Sequence, residues 1–284
     1  MSLTIAIASG KGGAGKTTLA TNLAAVAPPG TALLDCDVEE PNAHLFLRPE
    51  QVERRLCTVP VPQFDAERCD SCGLCGRACR FNALLVLPGS PPTLHEEMCH
   101  SCGACVRACP REAIREVPRP IGEVRTGQRN GLLFADGVLD VGRVRSEPLV
   151  ADVRGQHAAA AVRLVDAPPG TSCPVVAAVR GADYVVLVAE PTPFGLSDLR
   201  MAVEMVRHLR LRFGVLINRA GLGDDGVLRF CRADGLNLLG ELPFDRRVAE
   251  ACAAGRLAAE DLPSYRRRCA ALLSVILREA RKCR

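Results

Sequence analysis

The chain has 284 residues, 48% of them hydrophobic and 24% charged, a balance that buries a core and excludes disorder as the main state. A net charge of +4, no Trp, two Tyr and eight Phe leave little for gripping phosphate backbones or stacking bases, so nucleic acid is not an expected ligand. No apolar run reaches the roughly 18 residues of a membrane span, and the opening MSLTIAIASG lacks the basic start of a secretory signal; a cytoplasmic protein without membrane association is expected.

Leu3 to Ala8 is a short apolar strand, Ser9-Gly10 opens a glycine loop, and Leu19 to Val26 has the character of a helix. Between them, Gly10, Lys11, Gly12, Gly13, Ala14, Gly15, Lys16 and Thr17, followed by Thr18, fit the phosphate-loop pattern in its required strand–loop–helix setting. Small residues let successive backbone N–H groups curl around a phosphate, and the helix N-terminus adds partial positive charge. Lys16 is then expected to reach the β- and γ-phosphates, and the Thr17 hydroxyl to ligate Mg²⁺. Only three lysines, Lys11, Lys16 and Lys282, stand among 36 basic residues. Two of them flank this loop, where a compact ammonium is required in place of a planar guanidinium.

The run from Lys11 to Thr18 resembles the variant phosphate loop of the MinD, Mrp and nitrogenase-iron-protein group of ATPases. The resemblance implies ATP and Mg²⁺ as cofactors and an ATP-dependent homodimer, or a dimer with a paralogue, in which Lys11 reaches the partner's nucleotide. It also implies roles further along the chain. Thr31 to Leu34 is a strand ending in Asp35-Cys36-Asp37, and strand C-terminal ends are where open α/β sheets bind ligands. By resemblance Asp37 orients the attacking water and Asp35 packs near Mg²⁺. Val162 to Val165 leads into Asp166-Ala-Pro-Pro-Gly170, similar to the family's switch II, with Asp166 on Mg²⁺ and the Gly170 N–H sensing the γ-phosphate. Asn218, at the end of the strand beginning at Gly214, resembles the family's adenine-reading asparagine; otherwise it is a loop residue satisfying turn backbone.

Fifteen cysteines in a reducing compartment point to metal ligation or catalysis rather than disulfides. Eight form an internal repeat, CDSCGLCGRAC at 69–79 and CHSCGACVRAC at 99–109, with the spacing of a bacterial two-cluster ferredoxin, in which the fourth cysteine of each run serves the other cluster. Cys69, Cys72, Cys75 and Cys109 are therefore assigned to one [4Fe-4S] cluster, and Cys99, Cys102, Cys105 and Cys79 to the second. A zinc site is the alternative, although four-cysteine zinc sites ordinarily use paired knuckles. Arg80 replaces the proline that follows the second run and removes no ligand.

The expected architecture is α/β: a doubly wound, mostly parallel sheet over residues 1–59 and 119–284, carrying a small α+β ferredoxin-like insert at 60–118 bounded by Pro60-Val-Pro62 and Pro118-Arg-Pro120. Residues 121–150 read as hairpins returning to the sheet. Nearly the whole chain is similar to MinD-superfamily ATPases with an inserted ferredoxin domain. The implied function is ATP-gated electron transfer to a protein partner. The rivals are an iron-sulfur assembly or transfer factor of the Mrp type, with an acceptor as partner, and a MinD-like spatial organiser with a structural insert. The seven other cysteines are expected to pack as small apolar residues. Cys173 follows Asp166 at the offset of the nitrogenase iron protein's bridging-cluster ligand, but the surrounding Thr-Ser-Cys-Pro does not match. The basic-flanked stretch 264–284 reads as a final helix packed on the core, with the membrane-binding terminal helix of MinD as the alternative.

Overall fold

The computed structural model describes residues 2–282; Cys283 and the end of the expected C-terminal helix lie outside them. In chain order come β1 (Leu3–Ala8), α1 (Lys16–Ala25), β2 (Ala32–Asp35), α2 (Ala43–Leu47) and the long β3 (Glu50–Phe64). The cysteine-rich segment holds α3 (Leu74–Ala78), β4 (Leu84–Leu85), β5 (Thr93–Leu94) and α4 (Ala104–Arg107). Then follow β6 (Ile114–Arg129), β7 (Leu132–Leu139), α5 (Glu147–Gly155), β8 (Val162–Asp166), α6 (Cys173–Val179), β9 (Tyr184–Ala189) and α7 (Pro193–His208). The chain closes with β10 (Phe213–Ala220), α8 (Gly226–Ala233), β11 (Leu238–Pro243), α9 (Arg246–Ala253), α10 (Ala258–Asp261) and α11 (Pro263–Arg281).

The main sheet runs β11-β10-β9-β1-β8-β2-β7-β6-β3. From β11 to β7 every neighbour is parallel; β6 pairs antiparallel with both β7 and β3. The central strands are apolar on both faces, as β1 and β9, buried at every position, illustrate. Separate apolar clusters cover the two faces. One contains Val150 and Val153 of α5, Val175 of α6 and Leu199 and Val203 of α7. The other contains Leu19 and Leu23 of α1 with Leu272, Leu273 and Ile276 of α11. This is the expected doubly wound α/β sheet. The terminal helix α11 turns Tyr265, Cys269, Leu272, Ile276 and Ala280 inward. Among the described residues no helix is long and apolar enough to cross a membrane.

The hairpin expected within 121–150 is β6–β7, closed by a two-residue turn in which Asn130 has φ 49° and Gly131 φ 79°. Positive φ at both turn residues matches the right-handed twist of the flanking strands. Past Gly122, β6 leaves β7 and continues paired only with β3, out to Ile114 opposite Phe64. These two strands form an arm, and the cysteine-rich segment is strung between their tips. Pro60 and Pro118, read as segment edges, lie directly opposite each other within the arm.

Candidate nucleotide and thiol sites

The phosphate loop joins the C-terminal end of the central strand β1 to α1. Gly15 caps α1 in the left-handed region (φ 89°), and Gly13 is also left-handed (φ 82°), a conformation that favours glycine. Gly10 is required for a different reason: a Cβ there would lie 2.1 Å from the Asp198 carbonyl oxygen of α7. The substitution Gly10→Ala should therefore push α7 off the loop, costing about 1–3 kcal/mol in chemical denaturation and weakening nucleotide binding. A variant as stable as the parent would contradict this close packing. Gly12 and Gly13, by contrast, have almost nothing within 4 Å of a Cβ position, so the rim of the loop is open.

Three carboxylates converge behind the loop. Strand register sets Asp166 of β8 beside Asp35 of β2. Burial pushes the Asp166 carboxyl up to about 7, against the opposing pulls of the Thr17 hydroxyl and the Lys16 ammonium. Neither Asp166 oxygen completes a hydrogen bond. A fully buried carboxylate whose oxygens complete no hydrogen bond, with only the Thr17 hydroxyl and Lys16 ammonium nearby to ease its charge, is the setting a hard cation satisfies, so Asp166 and Thr17 fit Mg²⁺. Lys16 is itself buried, and desolvation lowers its pKa despite Asp166, Asp37 and Asp35 nearby. Asp37 is raised by burial and pulled back by Lys16.

Asp35 has a structural task. Its Oδ1 accepts from the Asp37 N–H (3.1 Å), and its Oδ2 from the N–H groups of Asn42 (3.1 Å) and Ala43 (3.0 Å). One carboxylate thus holds both ends of the loop carrying Asp37. A further acid, Asp136 of β7, lies in register with Asp35; the sequence reading missed it. Arg125 of β6 donates from Nε to Asp136 Oδ1 (2.7 Å) and from Nη2 to Oδ2, while His44 Nδ1 lies 3.4 Å from Oδ2. Burial and then Arg125 lower the His44 pKa, so Arg125 is the charge that compensates Asp136.

The other expected nucleotide residues also surround the loop. The Gly170 N–H donates to the Ser9 carbonyl (3.1 Å), docking the 166–170 loop onto the phosphate loop; the N–H expected to sense a γ-phosphate is here bonded within the chain. Asn218 Nδ2 donates to the Ala14 carbonyl (2.9 Å). Its other face borders a cavity between the loop and the β10–β11 ends, lined by Gly15, Thr18, Arg219, Phe244, Asp245 and Cys252. Lys11 lies 3.9 Å from Glu190 and 3.8 Å from Asp198 of its own chain, and Glu190 also pairs with Arg219.

The eight repeat cysteines separate into two cavities. Cys69, Cys72, Cys75 and Cys109 line one; Cys79, Cys99, Cys102 and Cys105 line the other. The two halves repeat their backbone at a thirty-residue offset: Ser71 and Ser101 have φ 58° and 51°, Gly73 and Gly103 φ 72° and 68°. The Ala83 N–H donates to Cys79 Sγ (3.4 Å) and the Ala113 N–H to Cys109 Sγ (3.3 Å), the same contact in both halves. Burial pushes the Cys105 thiol up to about 11 and also raises Cys75, so ligation there must release protons. Among the described residues no group of three or more His, Cys, Asp and Glu is arranged to hold a metal ion. The halves differ chemically: Arg111 Nε donates to Asp70 (2.8 Å) at the first cavity, whereas at the matching positions Phe81 and His100 stack with ring centroids 3.6 Å apart.

Of the remaining described cysteines, Cys36, Cys57, Cys231 and Cys269 are buried as expected, and Cys252 is half-buried. Cys173 departs from the packing expectation. It begins α6 and is exposed, on the opposite side of the first turn from the buried Val175.

The profile of the CobQ/CobB/MinD/ParA nucleotide binding domain matches residues 5–258. An uncharacterized protein of Methanocaldococcus jannaschii, MJ0579, is 30% identical over 92% of this chain and 94% of its own length. A Pyrococcus horikoshii protein named iron-sulfur cluster carrier protein is 22% identical over 88% of this chain and 77% of its own. Among solved structures, the septum site-determining protein MinD of P. horikoshii, complexed with Mg-ADP, superposes with a TM-score of 0.58 at 20% identity, covering 99% of this chain and 97% of that one. At this identity the superposition speaks to fold alone. The profile match over most of the chain, on a sheet with a glycine loop after its central strand, shows that the protein belongs to the CobQ/CobB/MinD/ParA nucleotide-binding family.

Proposed function

We propose that the protein is a dimeric, Mg²⁺-dependent ATPase whose nucleotide cycle gates electron transfer through two [4Fe-4S] clusters to a partner protein. The observation that carries this reading is the sorting of eight cysteines into two four-thiol cavities at the tip of an arm rooted in the nucleotide sheet. The sorting matches the ligand exchange of a two-cluster ferredoxin, in which the fourth cysteine crosses to the other half. Thiolates on a cubane bind separate irons and therefore stand farther apart than ligands converging on one ion, consistent with open cavities rather than a compact site. When bound, such clusters supply one-electron redox chemistry.

The chain's own residues perform the remaining work. Backbone amides of the phosphate loop and the Lys16 ammonium hold the phosphates, and Thr17 and Asp166 receive Mg²⁺. Asp37, held in place through Asp35, orients a water. The cavity beside Asn218 takes the adenosine moiety. Lys11 exchanges Glu190 and Asp198 for the nucleotide of a second subunit on dimerisation, and the insert, residues 60–118 in this reading, presents the clusters to the redox partner.

Anaerobically prepared protein should contain about eight iron and eight sulfide per chain, and spectropotentiometric EPR should resolve reducible clusters whose signals change on adding Mg²⁺ and ATP. Zinc in place of sulfide, or failure to retain ATP, would overturn the proposal. The kinship with a protein named iron-sulfur cluster carrier protein favours a second reading, in which the clusters are cargo. Incubation with an apo-acceptor separates the two: cluster loss supports the carrier, and reversible reduction with clusters retained supports the electron carrier.

A further inference from the structure

Residues 140–146 connect β7 to α5, whose first residue is Glu147, and run as a strap between the nucleotide site and the cysteine segment. The strap is anchored at its start, where the Asp140 N–H donates to the Ile121 carbonyl (3.0 Å), and the Leu139 N–H just before it donates to the Val38 carbonyl (2.9 Å). At the other end Ser146, 1% exposed, donates from Oγ to Glu39 Oε1 (3.0 Å). Glu39 lies two residues beyond Asp37, in the loop whose ends Asp35 holds. The neighbouring Arg145 points the other way: its Nη1 donates to the Cys99 carbonyl (3.4 Å). Adjacent strap residues thus grip the nucleotide loop and the first cysteine of the second run.

The strap also has an incomplete contact. Arg145 Nε and Glu147 Oε2 are both buried, neither completes a hydrogen bond, and they lie 3.8 Å apart. Closing that gap by under about 1 Å would form a charge-assisted hydrogen bond. Buried groups without partners are rare and costly, so a second arrangement, in which Arg145 turns from Cys99 to Glu147, is close at hand. A cavity lined by Glu96, Glu97 and Cys99 on one side and Arg143, Val144 and Arg145 on the other gives the strap room to shift.

We infer that this strap is the coupling element between nucleotide and clusters, and that it acts on the second thiol quartet (Cys79, Cys99, Cys102 and Cys105) and not on the first. The inference rests on the ATP-gated reading above and specifies which cluster is gated. When the Asp37–Asn42 loop reorganises around Mg²⁺ and ATP, Glu39 carries Ser146 with it. Arg145 then exchanges the Cys99 carbonyl for Glu147, loosening the backbone around the second quartet. Ser146 and Arg145 touch neither nucleotide nor sulfur and are positioning residues. Coupling of this kind is carried by an element with two discrete arrangements that both sites bias.

The test is hydrogen exchange of the full-length protein with and without Mg²⁺ and a non-hydrolysable ATP analogue. Amides in 96–105 should exchange about fivefold faster or more with nucleotide, the lower range of ordinary coupling energies, while those in 66–75 stay unchanged. Ser146→Ala and Arg145→Ala should each abolish the response with analogue affinity kept within about threefold. Should Ser146→Ala fail to fold, Glu39→Ala, at an exposed position, removes the acceptor of the same contact. In cluster-loaded protein the nucleotide should move the midpoint potential of one EPR signal and not the other, and Ser146→Ala should lose that shift. A response shared equally by both segments, absent from the parent, or surviving both strap variants would overturn the inference. Protein without iron and sulfide would refute the electron-transfer reading instead, and the exchange measurement would still judge the strap.

Discussion

Asp166→Asn should make the nucleotide-free protein more stable at pH 8 while reducing ATP turnover about a hundredfold or more. The two effects share one cause. The Asp166 carboxyl is completely buried, its pKa is raised by desolvation to about 7, and neither oxygen completes a hydrogen bond. Relative to an ordinary value of 3.8, the folded state binds its proton more tightly than the unfolded state does. Ionised Asp166 therefore opposes folding. The penalty is complete above about pH 7, shrinks as pH falls from there toward 3.8, and vanishes below. An amide of the same shape carries no such penalty, so the stability gain should be on the order of 2 kcal/mol at pH 8 and should fade toward pH 5. Mg²⁺ and ATP should stabilise the parent and have much less effect on the variant, which lacks the charge proposed to receive the cation. Thermal unfolding at three pH values, with and without Mg²⁺ and ATP, is sufficient. A variant less stable than the parent at pH 8 without nucleotide would show that Asp166 is compensated in a way its surroundings do not reveal.

The phosphate loop and the parallel sheet were legible because their signals are local. A glycine loop between an apolar run and a helix, and a strand such as Tyr184–Ala189 buried along its whole length, are each contained in a few consecutive residues. The cysteine repeat was legible for the same reason. What escaped depends on register. Asp136 reads as a lone acid in a hairpin strand, and only its pairing with Asp35 and Arg125 makes it part of the site. Pro60 and Pro118 read as linker residues, because proline cannot donate to a ladder. Yet β3 is the sheet's edge strand, and β6 has already parted from β7 at Pro118 and Pro120. Each strand there has one open side, and proline is tolerated where its missing N–H faces away from the partner. Lys11 was legible as a displaced lysine, but its contacts with Glu190 and Asp198 bridge residues nearly two hundred positions apart. Glu39–Ser146 and Arg145–Cys99 are likewise products of the fold alone.

Arg125→Met should destabilise the protein by about 3–5 kcal/mol, the range found when one partner of a buried ion pair is removed. Asp136 is completely inaccessible, and Arg125, with 18% of its side chain exposed, meets both its oxygens. Methionine fills much of the arginine stem's volume, so the loss reports charge more than packing. In the parent, burial and then Arg125 lower the His44 pKa, so Arg125 and not His44 carries the compensating charge there. The double replacement Arg125→Met with Asp136→Leu should recover most of the loss, since a well-packed apolar pair removes the stranded charge. A double-mutant cycle in urea measures the coupling, and a loss below about 1 kcal/mol in the single variant would mean that Arg125 is not what compensates Asp136. The pair also ties β7, beside the nucleotide carboxylates, to β6, whose far end carries the thiol cavities. Severing it should therefore loosen the root of the arm as well as the core, and exchange at 122–126 should rise before global unfolding begins.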